Sequence, residues 1–170
     1  MSSRLTAISP IDGRYASSVG SLSAYFSETA LMTYRLKVEI EYLIALANEK
    51  GIKELAPFSG SQKSHLRKLY QNFNSACAKQ VKTIETTTNH DVKAIEYYIR
   101  GKVKKSLHPW IHFGLTSEDI NNLSYSLMWQ DGLKRAYVPA LQSVNNLLKR
   151  FAKKYKHTSM LALTHGQPAT

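Results

Sequence analysis

A long run of apolar side chains at helical spacing places the strongest constraint on the fold of this chain. A helix start is indicated where Thr116 or Ser117 can act as the N-cap. Glu118 and Asp119 then place negative charge in the first turn, where the helix dipole favours it. Apolar residues recur from there at Ile120, Leu123, Leu127, Met128, Leu133, Tyr137, Leu141, Val144, Leu148 and Phe151. Such a run, with a bend expected at Pro139, predicts an all-α fold of the helix-bundle kind.

The chain before Gly114 gives further helix signals. Ser27 and Glu28 start a run whose apolar residues are spread too widely for one face, which indicates burial on more than one side. Part of this run alternates like a strand, but its length favours a helix that ends near Gly51. A second helix is predicted by the amphipathic stripe Leu66, Leu69, Tyr70, Phe73, Ala76 and Cys77. On that stripe, Cys77 is expected to be a buried structural thiol.

Composition narrows the classes of protein to which the chain can belong. Of its 170 residues, 43% are hydrophobic and 21% charged, which is ordinary for a soluble globular protein. No apolar run approaches the ~18 residues that a membrane helix needs, and the N-terminus lacks the apolar core of a signal peptide. The single Cys77 excludes an internal disulfide and fits a reducing compartment. We therefore expect a cytoplasmic protein without a membrane partner.

The net charge of +11 points to an anionic partner. Nucleic acid, an anionic membrane surface and a small anionic substrate all fit this charge. The densest basic run, residues 149–157, is typical of a solvated helix end, where cations complement the dipole. A basic helical nucleic-acid-binding module therefore stays open as an alternative, although its only support is the net charge.

Two segments carry side chains suited to an anionic ligand. Arg14 and Tyr15 lie in a turn marked by Pro and Asp-Gly, and they offer a planar guanidinium fork and a hydroxyl. The threonine-rich segment before Asn89 supplies capping residues, which places Asn89, His90 and Asp91 at or near a helix N-terminus. The unpaired N–H groups of such a terminus attract anions. An exposed turn arginine and an ordinary capped helix are the alternative explanations.

The histidines differ in what their surroundings allow. His165 is followed by Gly166 and then Gln-Pro, which excludes a helix interior and predicts a loop imidazole able to donate a proton near neutral pH. A single loop histidine also commonly has a structural role. His108 and His112 have the four-residue spacing of a helical metal pair, but Pro109 disrupts a helix there. No Cys or Glu joins them at the spacing of a zinc motif, so no metal site is predicted.

Four motifs, taken in order, resemble the bacterial adenylosuccinate lyases, a branch of the fumarase/aspartase superfamily. The motifs are Ser9–Tyr15 (Ser-Pro-Ile-Asp-Gly-Arg-Tyr), Thr86–Ala94 (Thr-Thr-Thr-Asn-His-Asp-Val-Lys-Ala), Thr116–Asn122 (Thr-Ser-Glu-Asp-Ile-Asn-Asn) and Thr164–Thr170 (Thr-His-Gly-Gln-Pro-Ala-Thr). The resemblance extends from about Leu5 to the last residue. Fumarases and argininosuccinate lyases are less similar to these motifs. The resemblance implies an N-terminal helical domain over 1–114 and, over 115–170, the truncated start of the central helical-bundle domain, including its first long helix.

An activity follows from the same resemblance. The family cleaves adenylosuccinate to AMP and fumarate, and succinyl-aminoimidazole-carboxamide ribotide to aminoimidazole-carboxamide ribotide and fumarate, in purine biosynthesis. The reaction is a β-elimination without a metal or an organic cofactor. The implied partners are a purine nucleotide carrying a phosphate and a dicarboxylate, and three further copies of the chain in a homotetramer. Neither nucleic acid nor a membrane is implied.

The resemblance also implies roles for individual residues. His165 matches the family's general acid, and His90 matches a residue that assists catalysis. The residues that match the substrate-binding set are Arg14, Tyr15, Asn89, His90, Asp91, Thr116 and Ser117. Within this set, Arg14 and Tyr15 are expected to hold the phosphate. Thr116 and Ser117 are expected to bind the succinyl carboxylates.

One feature of the family has no counterpart in these 170 residues. The family's general base is a serine in a loop with the signature Ser-Ser-x-Met-Pro-x-Lys-x-Asn, and no such stretch is present. The family also assembles its sites from several subunits through the central bundle. We therefore expect the chain to be an N-terminal part of the enzyme that is inactive by itself.

Overall fold

The computed structural model describes residues 4–159 and 161–169. Over these residues the regular secondary structure is helical apart from one short hairpin, so the predicted all-α fold class is confirmed. The chain divides into two compact units, one ending at Gly132 and the other beginning at Leu133. This division follows Gly132 instead of Gly114, and the boundary at Gly114 stays a prediction for the domains of the whole protein.

From residue 4 onward, where the structure describes it, the first unit contains six α-helices. They are α1 (Ser23–Phe26), α2 (Glu28–Leu46), α3 (Gly60–Gln71), α4 (Ser75–Thr88), α5 (Asp91–Arg100) and α6 (Ser117–Gly132). Short 3₁₀ segments precede α1 and α6, at Arg4–Thr6, Gly20–Leu22 and Lys105–Trp110. None of the described helices is both long and apolar enough to cross a membrane.

Helix α2 is the central element of this unit. Ser27 caps it as predicted, since the Ser27 hydroxyl accepts a hydrogen bond from the Ala30 N–H at 3.1 Å. Its side chains are buried on several sides, because α2 packs against α1, α3, α5 and α6. The prediction of burial on more than one side is confirmed. The predicted end near Gly51 was wrong, because α2 stops at Leu46 with Ala47 as its C-cap.

The main hydrophobic core joins α2 to α3, α4 and α5. Its fully buried members include Leu36, Ile40, Val81, Ile95 and Ile99. Burying each such side chain contributes about 1.5–3 kcal/mol relative to leaving it in water. The core therefore supplies most of the stability that holds α5 in a fixed position against α2.

The apolar stripe from Leu66 to Cys77 belongs to two helices and not to one. Helix α3 ends at Gln71, and Asn74 starts α4 by accepting hydrogen bonds from the Ala76 and Cys77 N–H groups. The stripe continues across this break because both helices face the same core. Cys77 packs against the core from that face, as predicted, but it is half-buried and not buried.

The end of α6 lies against α1 at very short range. A Cβ placed on Gly132 would lie 2.6 Å from the Phe26 ring. A larger residue at this position would displace the Phe26 ring, since real Cβ atoms do not come so close. Phe26 also packs edge-on against Trp129, with ring centroids 5.4 Å apart.

Within its described residues, 133–159 and 161–169, the second unit has a π-helical turn, one α-helix and a hairpin. The π turn covers Leu133–Tyr137, and α7 follows over Val138–Tyr155. The long predicted helix is therefore interrupted before Pro139, which takes a position in the first turn of α7, where proline is tolerated. Strands β1 (Ala162–Thr164) and β2 (Gln167–Ala169) pair antiparallel, with Thr164 opposite Gln167.

Because α2 is central to the core, the same Leu→Ala change should destabilise the fold far more on α2 than at an exposed leucine of the first unit. Leu36→Ala should lower the free energy of unfolding by about 2–5 kcal/mol, because the fully buried side chain leaves a cavity. The matched change Leu123→Ala, at a side chain that is 56% exposed, should stay within about 0.5 kcal/mol. Urea unfolding followed by circular dichroism measures both. Equal losses would contradict the assigned core.

Candidate functional site

Helix α5 begins directly after α4, through a single residue in the left-handed region. Asn89 has φ 51° and caps the end of α4, and His90 is the N-cap of α5. Asparagine tolerates this conformation better than other non-glycine residues, so the two helices need no longer connection. The predicted helix N-terminus at these residues is confirmed. The threonines before Asn89 were expected to be capping residues. They form the last turn of α4 instead, where Thr86 donates to the Thr83 carbonyl at 2.7 Å.

The capping geometry of His90 determines which ring nitrogen carries the proton. Its Nδ1 accepts a hydrogen bond from the Lys93 N–H at 3.2 Å. In the neutral imidazole the proton therefore resides on Nε2. That nitrogen lies 3.4 Å from the Ser117 hydroxyl oxygen, at the start of α6. The structure thus brings together two residues that are distant in sequence and that were both predicted to belong to the site.

Asp91 follows His90 and uses both of its carboxylate oxygens within the protein. Oδ1 accepts from the Val92 N–H at 2.8 Å, and Oδ2 pairs with the Arg35 guanidinium at 2.7 Å. Burial acts to raise the pKa of the Asp91 carboxyl, but the Val92 N–H and the Arg35 charge outweigh it and lower the pKa below its usual range. Asp91 is therefore held as a carboxylate.

At the start of α6, Thr116 donates to a side chain of the first turn, whereas the first backbone N–H groups have no acceptor among the described residues. The Thr116 N–H and hydroxyl both donate to Asp119 Oδ2, at 2.7 and 2.9 Å, and they lower the pKa of the Asp119 carboxyl. The Thr116 hydroxyl thus acts as a donor here. Among the described residues, no hydrogen bond is found from the N–H groups of Ser117, Glu118 or Asp119. This helix start therefore offers backbone donors to an anion, as helix N-termini commonly do.

An apolar cluster fixes the two helix starts beside each other. Val38 of α2, Val92 of α5 and Ile120 of α6 are buried in mutual contact, and Leu115 and Leu127 pack against them. Val92 and Ile120 belong to the first turns of their helices. The corner formed by His90 and Ser117 therefore lies next to a buried apolar cluster that holds both helix starts in place.

A buried polar cluster lies in the same unit, between α2, α5 and the segment before α6. His112 Nδ1 is 2.5 Å from Glu39 Oε1, and His112 Nε2 is 3.8 Å from Glu96 Oε1. Lys93 pairs with the other oxygen of Glu96 at 2.9 Å. Burial raises the pKa of the Glu39 carboxyl, although the hydrogen bond and charge of His112 oppose the rise. Through His112, the cluster holds the segment before α6 against α2.

The histidine pair His108 and His112 is divided between separate contacts. His108 Nε2 bonds to the Arg100 carbonyl oxygen at 2.9 Å, whereas His112 faces the buried carboxylates. Within the described part of the chain, no group of three or more His, Cys, Asp or Glu side chains is arranged to hold a metal ion.

Arg14 and Tyr15 lie in the predicted turn near the N-terminus. The Asp12 and Gly13 N–H groups both donate to the Ser9 carbonyl, which closes the turn, and the Arg14 guanidinium lies 5.6 Å from the Tyr15 ring centre. Among the described residues, no hydrogen bond or ion pair is found between this turn and the His90–Ser117 corner. Their convergence on one ligand stays a prediction.

His165 belongs to the second unit and is described there by itself. It is the first central residue of the β1–β2 turn, and Gly166 is the second. Their φ angles of 52° and 77° are those of a type I′ turn, for which glycine at the second position is well suited. The predicted loop is therefore a tight hairpin that presents an exposed imidazole.

Sequence reasoning did not identify the buried charges that support the corner. Arg35 is 5% exposed and Glu39 and Glu96 are 2% exposed, and none of them was predicted. Arg35 and Glu39 lie on adjacent turns of α2, and the other buried residues of this helix are mostly apolar. Charged residues inside such an apolar run are rarely buried without a partner, so their position was the available signal.

The lowered pKa of Asp91 predicts how acid acts on the corner. A carboxyl whose folded pKa lies below its ordinary value of 3.8 stabilises the fold fully above that pH, and it loses this contribution as the pH falls through the folded value. Asp91→Asn should therefore cost about 1–2 kcal/mol near neutral pH, a value moderated by partial exposure. The cost should shrink at about pH 3. Urea unfolding at both pH values measures it, and a cost independent of pH would contradict the pairing.

Comparison with known proteins places this geometry in a family. The model of a family described as lyase matches residues 13–170. An adenylosuccinate lyase of Dictyostelium discoideum is 47% identical over 98% of the chain and 37% of its own length. The adenylosuccinate lyases of Haemophilus influenzae (strain ATCC 51907 / DSM 11121 / KW20 / Rd) and Escherichia coli (strain K12) are 44% and 42% identical, each over 99% of the chain and 38% of its own length.

The chain thus spans about 38% of the length of the curated relatives that it matches. Its matched region includes Arg14, the His90–Ser117 corner and the His165 hairpin. The chain belongs to the lyase family, and its similarity to adenylosuccinate lyases extends over nearly all of its residues.

Proposed function

We propose that the whole protein containing this chain is an adenylosuccinate lyase. It cleaves adenylosuccinate to AMP and fumarate. It also cleaves succinyl-aminoimidazole-carboxamide ribotide to aminoimidazole-carboxamide ribotide and fumarate. The observation that carries the proposal is the corner at which His90 Nε2 lies 3.4 Å from the Ser117 hydroxyl, above a helix start with available N–H groups. The names of the relatives favour this enzyme over a nucleic-acid-binding module.

The chemistry of the corner suits the dicarboxylate part of such a substrate. The first-turn N–H groups of α6 and the Ser117 hydroxyl are donors at one helix start, whereas the Thr116 hydroxyl already donates its one proton to Asp119. A carboxylate gains negative charge as the neighbouring carbon loses its proton in a β-elimination. Donors fixed before the reaction stabilise that charge more in the transition state than in the substrate. The Nε2–H of a neutral His90 faces the Ser117 hydroxyl oxygen at 3.4 Å, which leaves the Ser117 proton to donate to the carboxylate.

The remaining roles are proposed from the family resemblance. His165 is the general acid that protonates the departing nitrogen, and Arg14 and Tyr15 hold the phosphate. Asn89, His90 and Asp91 form a second binding segment, in which Asp91 acts through its position beside His90. The general base is a serine in a Ser-Ser-x-Met-Pro loop, which these 170 residues do not contain. The 170-residue chain by itself is accordingly proposed to be inactive.

Assembly and location are part of the same proposal. We propose a cytoplasmic homotetramer that functions in purine biosynthesis. An apolar face along α7 supports assembly, because it is exposed in the isolated chain. Its members are Leu141, Val144, Leu147, Leu148, Phe151 and Tyr155. A bundle that brings several such helices together would bury this face.

The general-acid role is tested in the whole protein with His165→Ala. Loss of a positioned acid should lower kcat for adenylosuccinate cleavage by roughly 10²–10⁴-fold. The matched control is His157→Ala, an exposed histidine just after α7, which should leave kcat unchanged. A spectrophotometric assay of AMP formation measures both. A fall of less than tenfold for His165→Ala would argue against the acid role.

The carboxylate-binding role of the α6 start is tested with Ser117→Ala. Loss of one hydroxyl contact to a carboxylate should raise KM by about tenfold, the equivalent of about 1.4 kcal/mol. Ser126→Ala removes a hydroxyl from the same helix, where Ser126 donates to the Asn122 carbonyl at 2.8 Å. That control should leave KM unchanged. Equal effects of the two substitutions would contradict the assignment.

A further inference from the structure

Arg35 is a buried cation at the centre of the first unit. Its side chain is 6% exposed and lies on α2 among apolar neighbours. A buried charge is tolerated only when it is paired and hydrogen-bonded. The partners of Arg35 therefore indicate why the fold retains it.

Those partners belong to two other helices. The Arg35 NH2 group lies 2.7 Å from Asp91 Oδ2, in the first turn of α5. Its Nε donates to Asn121 Oδ1 at 2.9 Å, in the second turn of α6. One guanidinium thus contacts the opening turns of both helices that form the candidate site, from its position on a third.

The contacts of Arg35 supply a direction that apolar packing lacks. Val38, which lies one turn along α2 from Arg35, belongs to the apolar cluster with Val92 and Ile120. Apolar contacts of this kind are non-directional and tolerate small sliding movements. The planar fork of arginine holds its partners in one geometry, and lysine cannot reproduce it.

We infer that Arg35 is a positioning residue, which sets the separation of His90 and Ser117 without touching the substrate. Asp91 is adjacent to His90, and Asn121 lies one helical turn after Ser117, so movement of either partner moves the corner. Both oxygens of Asp91 are engaged within the protein. Its side chain therefore acts through Arg35 and the Val92 N–H. This inference rests on the proposed function only for its consequence in catalysis.

The test compares Arg35→Lys with Arg67→Lys in the whole protein. Arg67 makes a similar fork to α2, through two 2.8 Å hydrogen bonds to Glu41, but it lies on α3 outside the candidate site. Each substitution keeps the positive charge and removes the planar guanidinium group. Arg35→Lys should raise KM for adenylosuccinate by about tenfold, because a displaced corner weakens the proposed Ser117 contact to the carboxylate. Arg67→Lys should leave KM unchanged.

Two readouts separate positioning from a general loss of stability. A smaller folded fraction lowers the apparent kcat and leaves KM unchanged, whereas a misaligned site raises KM. Hydrogen exchange should accelerate in Arg35→Lys at the starts of α5 and α6, and not in the core of α4. Unchanged KM with unchanged exchange at these starts would overturn the inference, as would uniform acceleration over all helices.

The exchange measurement also distinguishes this inference from the proposed function. If the unsubstituted whole protein cleaves no adenylosuccinate, the proposed function fails. Local acceleration at the two helix starts would then still support the positioning role of Arg35, and its absence would remove that role.

Discussion

The packing of the first turns of α5 and α6 on one face of α2 is the interaction on which the candidate site depends. Val38, Val92 and Ile120 remove their side chains from water together, and each burial is worth about 1.5–3 kcal/mol. A single hydrogen bond contributes a net of about 0.5–1.5 kcal/mol. The contact at 3.4 Å between His90 and Ser117 is therefore a consequence of this packing and cannot be its cause.

The buried charged groups of the same unit lower its stability, but they fix the direction of their contacts with neighbouring segments. Arg35 and Glu39 lie one turn apart on α2, and both are nearly inaccessible to water. Arg35 reaches the starts of α5 and α6, and Glu39 reaches His112 in the segment that leads into α6. Glu39 Oε2 is buried without a hydrogen-bond partner among the described residues, which fits the raised pKa of this carboxyl. An apolar core of equal volume would often be as stable, so what these groups add to the unit is the direction of their contacts.

The sequence predicted helices well where one face alone determines burial, and it predicted their ends less well. The stripe through Leu66 and Cys77 continued across the α3–α4 break because residues on both sides pack into one core. Periodicity cannot detect a turn that preserves the apolar face, whereas the cap at Asn74 depends on local hydrogen bonds. The motifs identified His90 and Ser117 one at a time. Their proximity depends on contacts between helices distant in sequence, and those contacts involve Arg35, which resembles an exposed helical residue in the sequence.

The sequence indicated a helix start on each side of the corner, and the side chains make the two starts chemically different. In α5, His90 and Asp91 accept from the first-turn N–H groups of Lys93 and Val92, so these two donors are already engaged within the helix. In α6, the Asp119 carboxylate is a stronger acceptor than the Thr116 hydroxyl and turns that hydroxyl into a donor.

This difference explains how the proposed substrate would have to be held. The α6 start keeps backbone donors available, but Glu118 and Asp119 place negative charge in the same turn. An anion bound there gains hydrogen bonds and experiences repulsion from those carboxylates, so this helix start by itself is a weak anion site. Tight binding of a multiply negative nucleotide therefore requires cations from other segments of the protein. Arg14 in the N-terminal turn is the residue of this chain that the family resemblance assigns to that task.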